Sequence, residues 1–224
     1  MALRASFLRL LLLTMTVIPA AAQYDVYDNG PIDGQTWASV INFGLATSNS
    51  FNFTNQNNCG PQGWSSCSVN GLVFEAWLFP GDILQSVEVS ITSSEFGGTT
   101  YFDQVVNFSQ SDCFLNNSQF GSYDVCTETG NFHDINLNTG TYWVNLQNAS
   151  TSLQDPVFWD ENNGPSLAST NSIGTIPSES FTILGSTSTT SCSWCGTVPE
   201  PDTFPLLAFG AAVAVLASLR KLAG

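Results

Sequence analysis

The sequence predicts an all-β protein, an antiparallel β-sandwich of the jelly-roll kind, and three observations support this. Apolar and polar residues alternate along several segments, as at Val87, Val89 and Ile91, and a period of two is typical of strands with one buried face. Clusters of Gly, Asn, Asp and Pro separate these segments, as expected for turns. No stretch between residues 23 and 184 shows the period of an amphipathic helix. We therefore expect two packed sheets, with another Greek-key sandwich or a barrel as the alternative.

Residues 1–22 have the pattern of a secretory signal peptide. A basic start precedes an uncharged apolar run, and small residues close the segment at Ala20 and Ala22. This predicts a signal helix that is cleaved by signal peptidase before Gln23. An uncleaved membrane anchor is the alternative, but the apolar run is short for a bilayer.

Two turns of the predicted β-domain, residues 23–184, resemble each other: residues 27–31 (YDNGP) and residues 159–165 (WDENNGP). Carboxylate and amide oxygens on glycine-containing turns are suitable ligands for Ca²⁺, although the same residues also suit ordinary turns. The spacing does not match an EF-hand loop. Structural calcium is the one cofactor that the sequence suggests, with these candidate ligands: Asp28, Asn29, Asp160, Glu161, Asn163.

Three tryptophans are candidates for a sugar-binding platform: Trp77, Trp143 and Trp159. The alternation of their strands places Trp77 and Trp143 opposite the aliphatic face, which leaves them either exposed or buried between sheets. Exposed aromatic rings would suit a carbohydrate-binding module.

Catalytic chemistry has weaker support. Asp155, Asp160 and Glu161 lie beside aromatic residues and suggest the two carboxylates of a glycoside hydrolase. The domain holds sixteen acidic side chains, however, and so many will produce close pairs by chance. His133 is the single histidine and no G-x-S-x-G motif accompanies it, so a Ser-His-Asp triad is not predicted.

The six cysteines fall into three sequence-local pairs, and an even number in an exported chain indicates disulfides. We favour local pairing among the fifteen pairings that six cysteines allow. A redox role for the last pair is disfavoured, because it lies in a Ser/Thr-rich linker, residues 185–197. The predicted pairs are Cys59 with Cys67, Cys113 with Cys126, and Cys192 with Cys195.

Charge is distributed very unevenly along the chain. The four basic residues lie at the two ends, whereas all but two of the eighteen acidic residues lie between Gln23 and Val198. A domain without Lys or Arg cannot neutralise phosphates, so nucleic-acid binding is excluded. Its carboxylates must instead be hydrated, capped by backbone N–H groups or shared with bound cations.

The last segment, residues 198–224, begins with Val198, Pro199, Glu200 and Pro201. An apolar stretch follows, which predicts a single transmembrane helix over about residues 204–222. Arg220 and Lys221 provide a basic stop at the cytoplasmic side of that helix.

This order of motif, helix and basic cluster resembles the PEP-CTERM sorting signal, a tail also described as the C-terminal domain of an ice-binding protein. The resemblance implies processing by exosortase, a transpeptidase-like enzyme of bacteria that make exopolysaccharide. It also implies an inner-membrane-anchored precursor and a mature protein at the cell surface or in the extracellular matrix. Stretches such as residues 77–82, 141–148 and 177–183 are similar to those of exported proteins with this tail.

The sequence thus favours an exported, non-enzymatic surface or matrix protein that is associated with exopolysaccharide. A carbohydrate-binding module, stabilised by calcium, is the alternative, and a secreted glycoside hydrolase is the least favoured reading.

Overall fold

The computed structural model describes residues 23–32, 37–54, 66–118 and 121–186. All of these belong to the first of two compact units, Met1–Ser188. The predicted signal helix, most of the linker, and the sorting tail with its helix lie outside the described residues, as do Cys59, Cys192 and Cys195. What the sequence indicates about these segments stays a prediction.

Thirteen strands and no helix occupy the described residues, so none of these residues lies in a helix long and apolar enough to cross a bilayer. The strands are β1 Gln23–Asp28, β2 Ala38–Val40, β3 Ala46–Phe53, β4 Ser66–Leu78, β5 Leu84–Ser94, β6 Gly97–Ser118, β7 Gly121–Asn138, β8 Gly140–Thr151, β9 Phe158–Asn162, β10 Ala168–Thr170, β11 Gly174–Ile176, β12 Ser178–Glu179 and β13 Phe181–Ser186.

The strands form one continuous sheet in the order β1-β13-β4-β7-β6-β5-β8-β3-β10-β11. β9 pairs with β4 at the side of this path, and β2 and β12 pair with β9. Every pairing is antiparallel. The prediction of an all-β antiparallel fold is confirmed.

The long strand β6 explains why the sheet curls. Its first part pairs with β5 as far as Asn107, which lies opposite Ser86, and its second part pairs with β7 from Phe108, opposite Gly130. The same strand therefore belongs to both halves of the sheet. The sequence predicts two packed sheets; in the described residues the two layers are joined through β6 into one curled sheet, whose halves enclose one core as in a sandwich.

The core follows the predicted alternation. Val87, Val89 and Ile91 are at most 1 % exposed and belong to the same buried cluster as Phe74 and Phe181. Trp159 packs edge-on against both of these phenylalanines, with ring centroids 5.9 and 5.7 Å away. Each large apolar side chain buried in this way contributes about 1.5–3 kcal/mol to folding.

A disulfide joins the paired strands β6 and β7. Cys113 and Cys126 are bonded to each other, which confirms one of the predicted local pairs. Cys67 on β4 is also in a disulfide. The remaining pairings involve residues beyond the described ranges and stay predictions.

Candidate functional site

The two similar turns of the sequence lie against each other. We call residues 28–31, which begin at the last residue of β1, the first turn, and residues 162–165, which begin at the last residue of β9, the second turn. Asn162 Nδ2 donates hydrogen bonds to the carbonyl oxygens of Asn29 and Gly30, at 3.0 and 2.9 Å. A Cβ on Gly164 would lie 2.1 Å from the carbonyl oxygen of Asn29. Only glycine therefore allows the two backbones to approach so closely.

Asn29 holds the first turn to its surroundings. The side chain is fully buried, and its Nδ2 donates to the carbonyl oxygen of Glu179 at 2.6 Å and contacts Ser178 Oγ at 2.5 Å. Its Oδ1 accepts from the Tyr27 hydroxyl at 2.8 Å and from the Ser166 backbone N–H at 3.1 Å. Since a primary amide offers two donor hydrogens and two lone pairs, this side chain is fully used within the protein.

A cleft of about 470 Å³ lies between the two turns, and its lining includes Asp28, Pro31, Asn163 and Pro165. A second cleft of about 240 Å³ shares Asp28 and Pro31 with it and adds Glu75. Asp28 is exposed, and its Oδ1 accepts the Gly30 N–H at 2.8 Å. The cleft thus presents carboxylate, amide and proline surfaces to solvent.

The residues predicted for calcium do not gather into one metal site. Among the described residues, no group of three or more His, Cys, Asp or Glu side chains is arranged to hold a metal ion, so Asp28, Asp160 and Glu161 do not form one. Asn29 is occupied as described above, and Asn163 is an exposed residue of the second turn. Asp160 is buried, and its Oδ1 accepts a 2.6 Å hydrogen bond from the Trp77 indole. Calcium binding stays a prediction.

Two of the three candidate tryptophans for sugar binding, Trp77 and Trp159, are buried, so neither presents an exposed ring. Trp159 is 0 % exposed in the core, where its indole N–H donates to the Ser180 carbonyl at 2.7 Å. Trp77 lies on the other face of β4 and is 2 % exposed, because Tyr123 packs over it with ring centroids 5.5 Å apart. Each indole N–H has found a buried acceptor, which explains why these rings tolerate burial.

Trp143 differs, because it is only half-buried on β8. Two residues along the strand, on the same face, Asn145 accepts from Ser48 Oγ at 2.5 Å and donates to Ser90 Oγ and Thr92 Oγ1 at 3.0 and 2.9 Å. Trp143 therefore stands next to a buried network of hydroxyl and amide groups that bond to one another.

Glu179 on β12 is a buried acidic residue that the sequence did not single out. It is 0 % exposed, and the Ser39 hydroxyl, which acts on its carboxyl group, forms no well-aligned hydrogen bond to either oxygen. It lies directly opposite Glu161 of β9 in the strand register. Burial raises the pKa of Glu179 well above its ordinary value; Ser39 opposes this, and the negative charges of Glu161 and Asp160 add to it.

Glu128 on β7 is the second such residue. It lies opposite Phe74 of β4 and Gln110 of β6, is 0 % exposed, and has no hydrogen-bond partner on either carboxyl oxygen. Burial, together with the negative charge of Glu75, raises the pKa of Glu128 to about 8. A neutral carboxyl group is the form that such an environment accepts.

Comparison with known proteins supplies no further guide to the site. No protein-family model matches this chain, and no curated protein matches it significantly. The family resemblance of the tail therefore stays a prediction, and the function has to be argued from the sequence and the geometry.

Proposed function

We propose that the protein is an exported, envelope-sorted surface or matrix component without catalytic activity, and that its β-domain is the part displayed outside the cell. The observation that carries this proposal is the confinement of all Lys and Arg to the two chain ends, beside the two apolar segments. Basic residues mark the cytoplasmic side of such segments, so the acidic domain between them is the part that is translocated.

The disulfide of the β-domain is compatible with an oxidising compartment outside the cytoplasm. The Cys113–Cys126 bond links neighbouring strands, and disulfides persist in oxidising compartments. Signal peptidase and exosortase are the proposed processing partners, and exopolysaccharide is the proposed surrounding.

Processing can be tested with the full chain expressed in an exosortase-bearing host and in its exosortase deletion strain. We expect a mature N-terminus at Gln23 in both, and loss of the C-terminal helix only where exosortase is present. Glu200→Gln, inside the motif, should block that loss, whereas Asp202→Asn, just outside it, should not. Recovery of the chain from the cytosol with both ends intact would contradict the proposal.

A carbohydrate-binding module is the second candidate, and the half-buried Trp143 on β8 favours it. The part of this aromatic ring that reaches solvent offers an apolar surface on which a sugar ring can stack. On a glycan array we expect binding that Trp143→Ala removes and that Trp37→Ala, at an exposed tryptophan outside the strands, leaves unchanged. Absence of binding to every polysaccharide, with and without Ca²⁺, would eliminate this candidate.

A further inference from the structure

The outer face of β4 and its neighbouring strands carries a row of apolar side chains. Trp77 of β4 lies opposite Phe158 of β9 and Val125 of β7. Val125 in turn lies opposite Phe114 of β6. Residues directly opposite each other on antiparallel strands point to the same side of the sheet, so the row crosses four strands. At about 4.8 Å between strands, it is roughly 14 Å long.

Tyr123 and Phe79 widen this row into a surface. Tyr123 lies two residues before Val125 on β7 and therefore on the same face. The centroid of its ring is 5.5 Å from that of Trp77 and 5.3 Å from that of Phe79. Phe79 is 37 % exposed and Phe114 is 48 % exposed, so the surface reaches solvent. We call it the aromatic face; it consists of Phe79, Phe114, Tyr123 and Phe158, with Trp77 beneath them.

Two carboxyl groups border the aromatic face. Glu75 lies two residues before Trp77 on β4, on the same side of the sheet, and is half-buried. The Thr127 hydroxyl lies within hydrogen-bonding distance of both Glu75 oxygens, at 3.1 and 3.0 Å. Asp112 is an exposed residue two positions before Phe114, and its negative charge acts on Glu75. Because residues 23–186 include no Lys or Arg, neither carboxylate has a basic side chain of the domain as its partner.

The charge and the position of this surface decide what fits it. A second copy of the domain would bring Glu75 and Asp112 of two chains together, and like charges across an interface are unfavourable. An anionic polysaccharide is repelled for the same reason. A neutral polysaccharide would remove water from the carboxylates without giving them a partner.

A basic peptide suits the charge but not the sheet. Peptides that bind to β-sheets pair their backbone with a free edge, whereas β4 and β7 have strands on both sides. The aromatic face therefore offers rings and carboxylates, without free backbone groups for a peptide chain.

We propose that the aromatic face binds a polysaccharide with free amino groups, a polymer of deacetylated amino sugars. The sugar rings stack on Phe79, Tyr123 and Phe114. A protonated amine lies against Glu75 and Asp112, where it meets both carboxylate and aromatic groups. This inference rests on the proposed function, which places the domain in exopolysaccharide, and it names the kind of polymer that the domain would retain.

Binding of the full-length protein to short glucosamine oligomers tests the aromatic face at about pH 6, where such amines are protonated. The comparison probes are N-acetylglucosamine oligomers of the same length, a polygalacturonate oligomer and oligolysine. We expect the glucosamine oligomer to bind about tenfold more tightly than its acetylated form, which corresponds to one hydrogen bond to a charged group. The polygalacturonate oligomer should not bind.

Substitutions at exposed positions locate the site without endangering the fold. Phe114→Ala should weaken binding of the glucosamine oligomer about fivefold, by loss of one ring contact. Phe96→Ala is the matched control, since Phe96 is 39 % exposed in the turn between β5 and β6. Asp112→Asn should reduce the preference for the free amine and leave binding of the acetylated oligomer unchanged. Asp103→Asn, which removes an exposed charge from the first half of β6, should leave both unchanged.

Equal affinity for the two sugar oligomers would overturn the inference, because the amine would then contribute nothing. Oligolysine that binds as tightly as the glucosamine oligomer would overturn it too, because the sugar ring would then contribute nothing. Loss of binding in Trp143→Ala but not in Phe114→Ala would place the sugar on β8 instead. If the protein is exported and processed as proposed but binds none of the probes, only the aromatic face is refuted; retention in the cytosol refutes the proposed function, whatever the protein binds.

Discussion

Replacement of Glu128 by Gln should make the domain more stable at alkaline pH, because it removes an ionisable group from a site that accepts only a neutral one. The pKa of Glu128 is raised from 4.5 to about 8, an interval of about 3.5 pH units. At about 1.36 kcal/mol per unit, ionisation of this group takes about 5 kcal/mol from the free energy of unfolding. Because the folded pKa lies above the unfolded one, this stabilisation is complete below pH 4.5, declines as the pH rises, and is gone above about pH 8.

Urea denaturation of wild type and Glu128→Gln at pH 4.5 and pH 9 measures the effect. Any cost of burying the Gln amide is the same at both pH values, so the quantity of interest is the change in the stability difference between them. With an m-value of about 2 kcal/mol per M, we expect the midpoint of the variant to gain about 2.5 M on wild type between the two conditions. The exposed-site variant Asp103→Asn should gain almost nothing. If the midpoint difference between the two proteins is the same at pH 4.5 and pH 9, the reasoning is refuted. Ionisation of Glu128 would then cost the folded state no stability.

Three further predictions concern stability. Asp82 accepts hydrogen bonds from two backbone N–H groups and one hydroxyl, and these outweigh the effect of its burial and lower its pKa. Asp82→Asn should therefore reduce the free energy of unfolding by about 2 kcal/mol at pH 7. In denaturant melts this loss of stability should shrink as the pH falls below 3.8, because the wild-type carboxylate is then protonated as well. Gly164→Ala should cost several kcal/mol, on the order of a buried backbone clash, whereas Gly97→Ala, whose Cβ meets nothing closer than 3.9 Å, should change the melting temperature little. Replacement of Cys113 and Cys126 by serine should cost about 3 kcal/mol by opening a short loop; an unchanged urea midpoint would show that strand pairing alone fixes the hairpin.

The alternating core strands could be predicted from the sequence because their pattern is local. Val87, Val89 and Ile91 alternate with polar residues and are buried as expected. The full length of the long strands could not be predicted, because residues 109–111 carry no apolar pattern and are extended only because β7 pairs with them. Tertiary pairing there overrides weak local preference. In the opposite sense, the apolar residues between Val40 and Ala46 do not continue the strand, since Phe43 adopts a φ of 54° in a turn.

The candidate site was only partly visible in the sequence. The similarity of the two turns indicated their chemistry, but not that Asn162 of one would bind the backbone of the other, because that contact depends on a separation of 133 positions. Glu179 lies in the stretch Pro177-Ser-Glu-Ser180, which has the composition of an exposed turn. The only available signal was the lack of Lys and Arg, which implies that any acid buried here must be neutralised without an ion pair.

The first and last strands are neighbours, and this determines how the domain responds to a mechanical load. Gln23 pairs with Ser186, so the two ends of the described chain emerge side by side at the β1 edge of the sheet. A force that separates these ends acts perpendicular to β1 and β13. It unzips their hydrogen bonds one after another and does not shear them simultaneously. The strands at this edge would peel away at low force, while the long β6–β7 pair deeper in the sheet still held the rest of the fold.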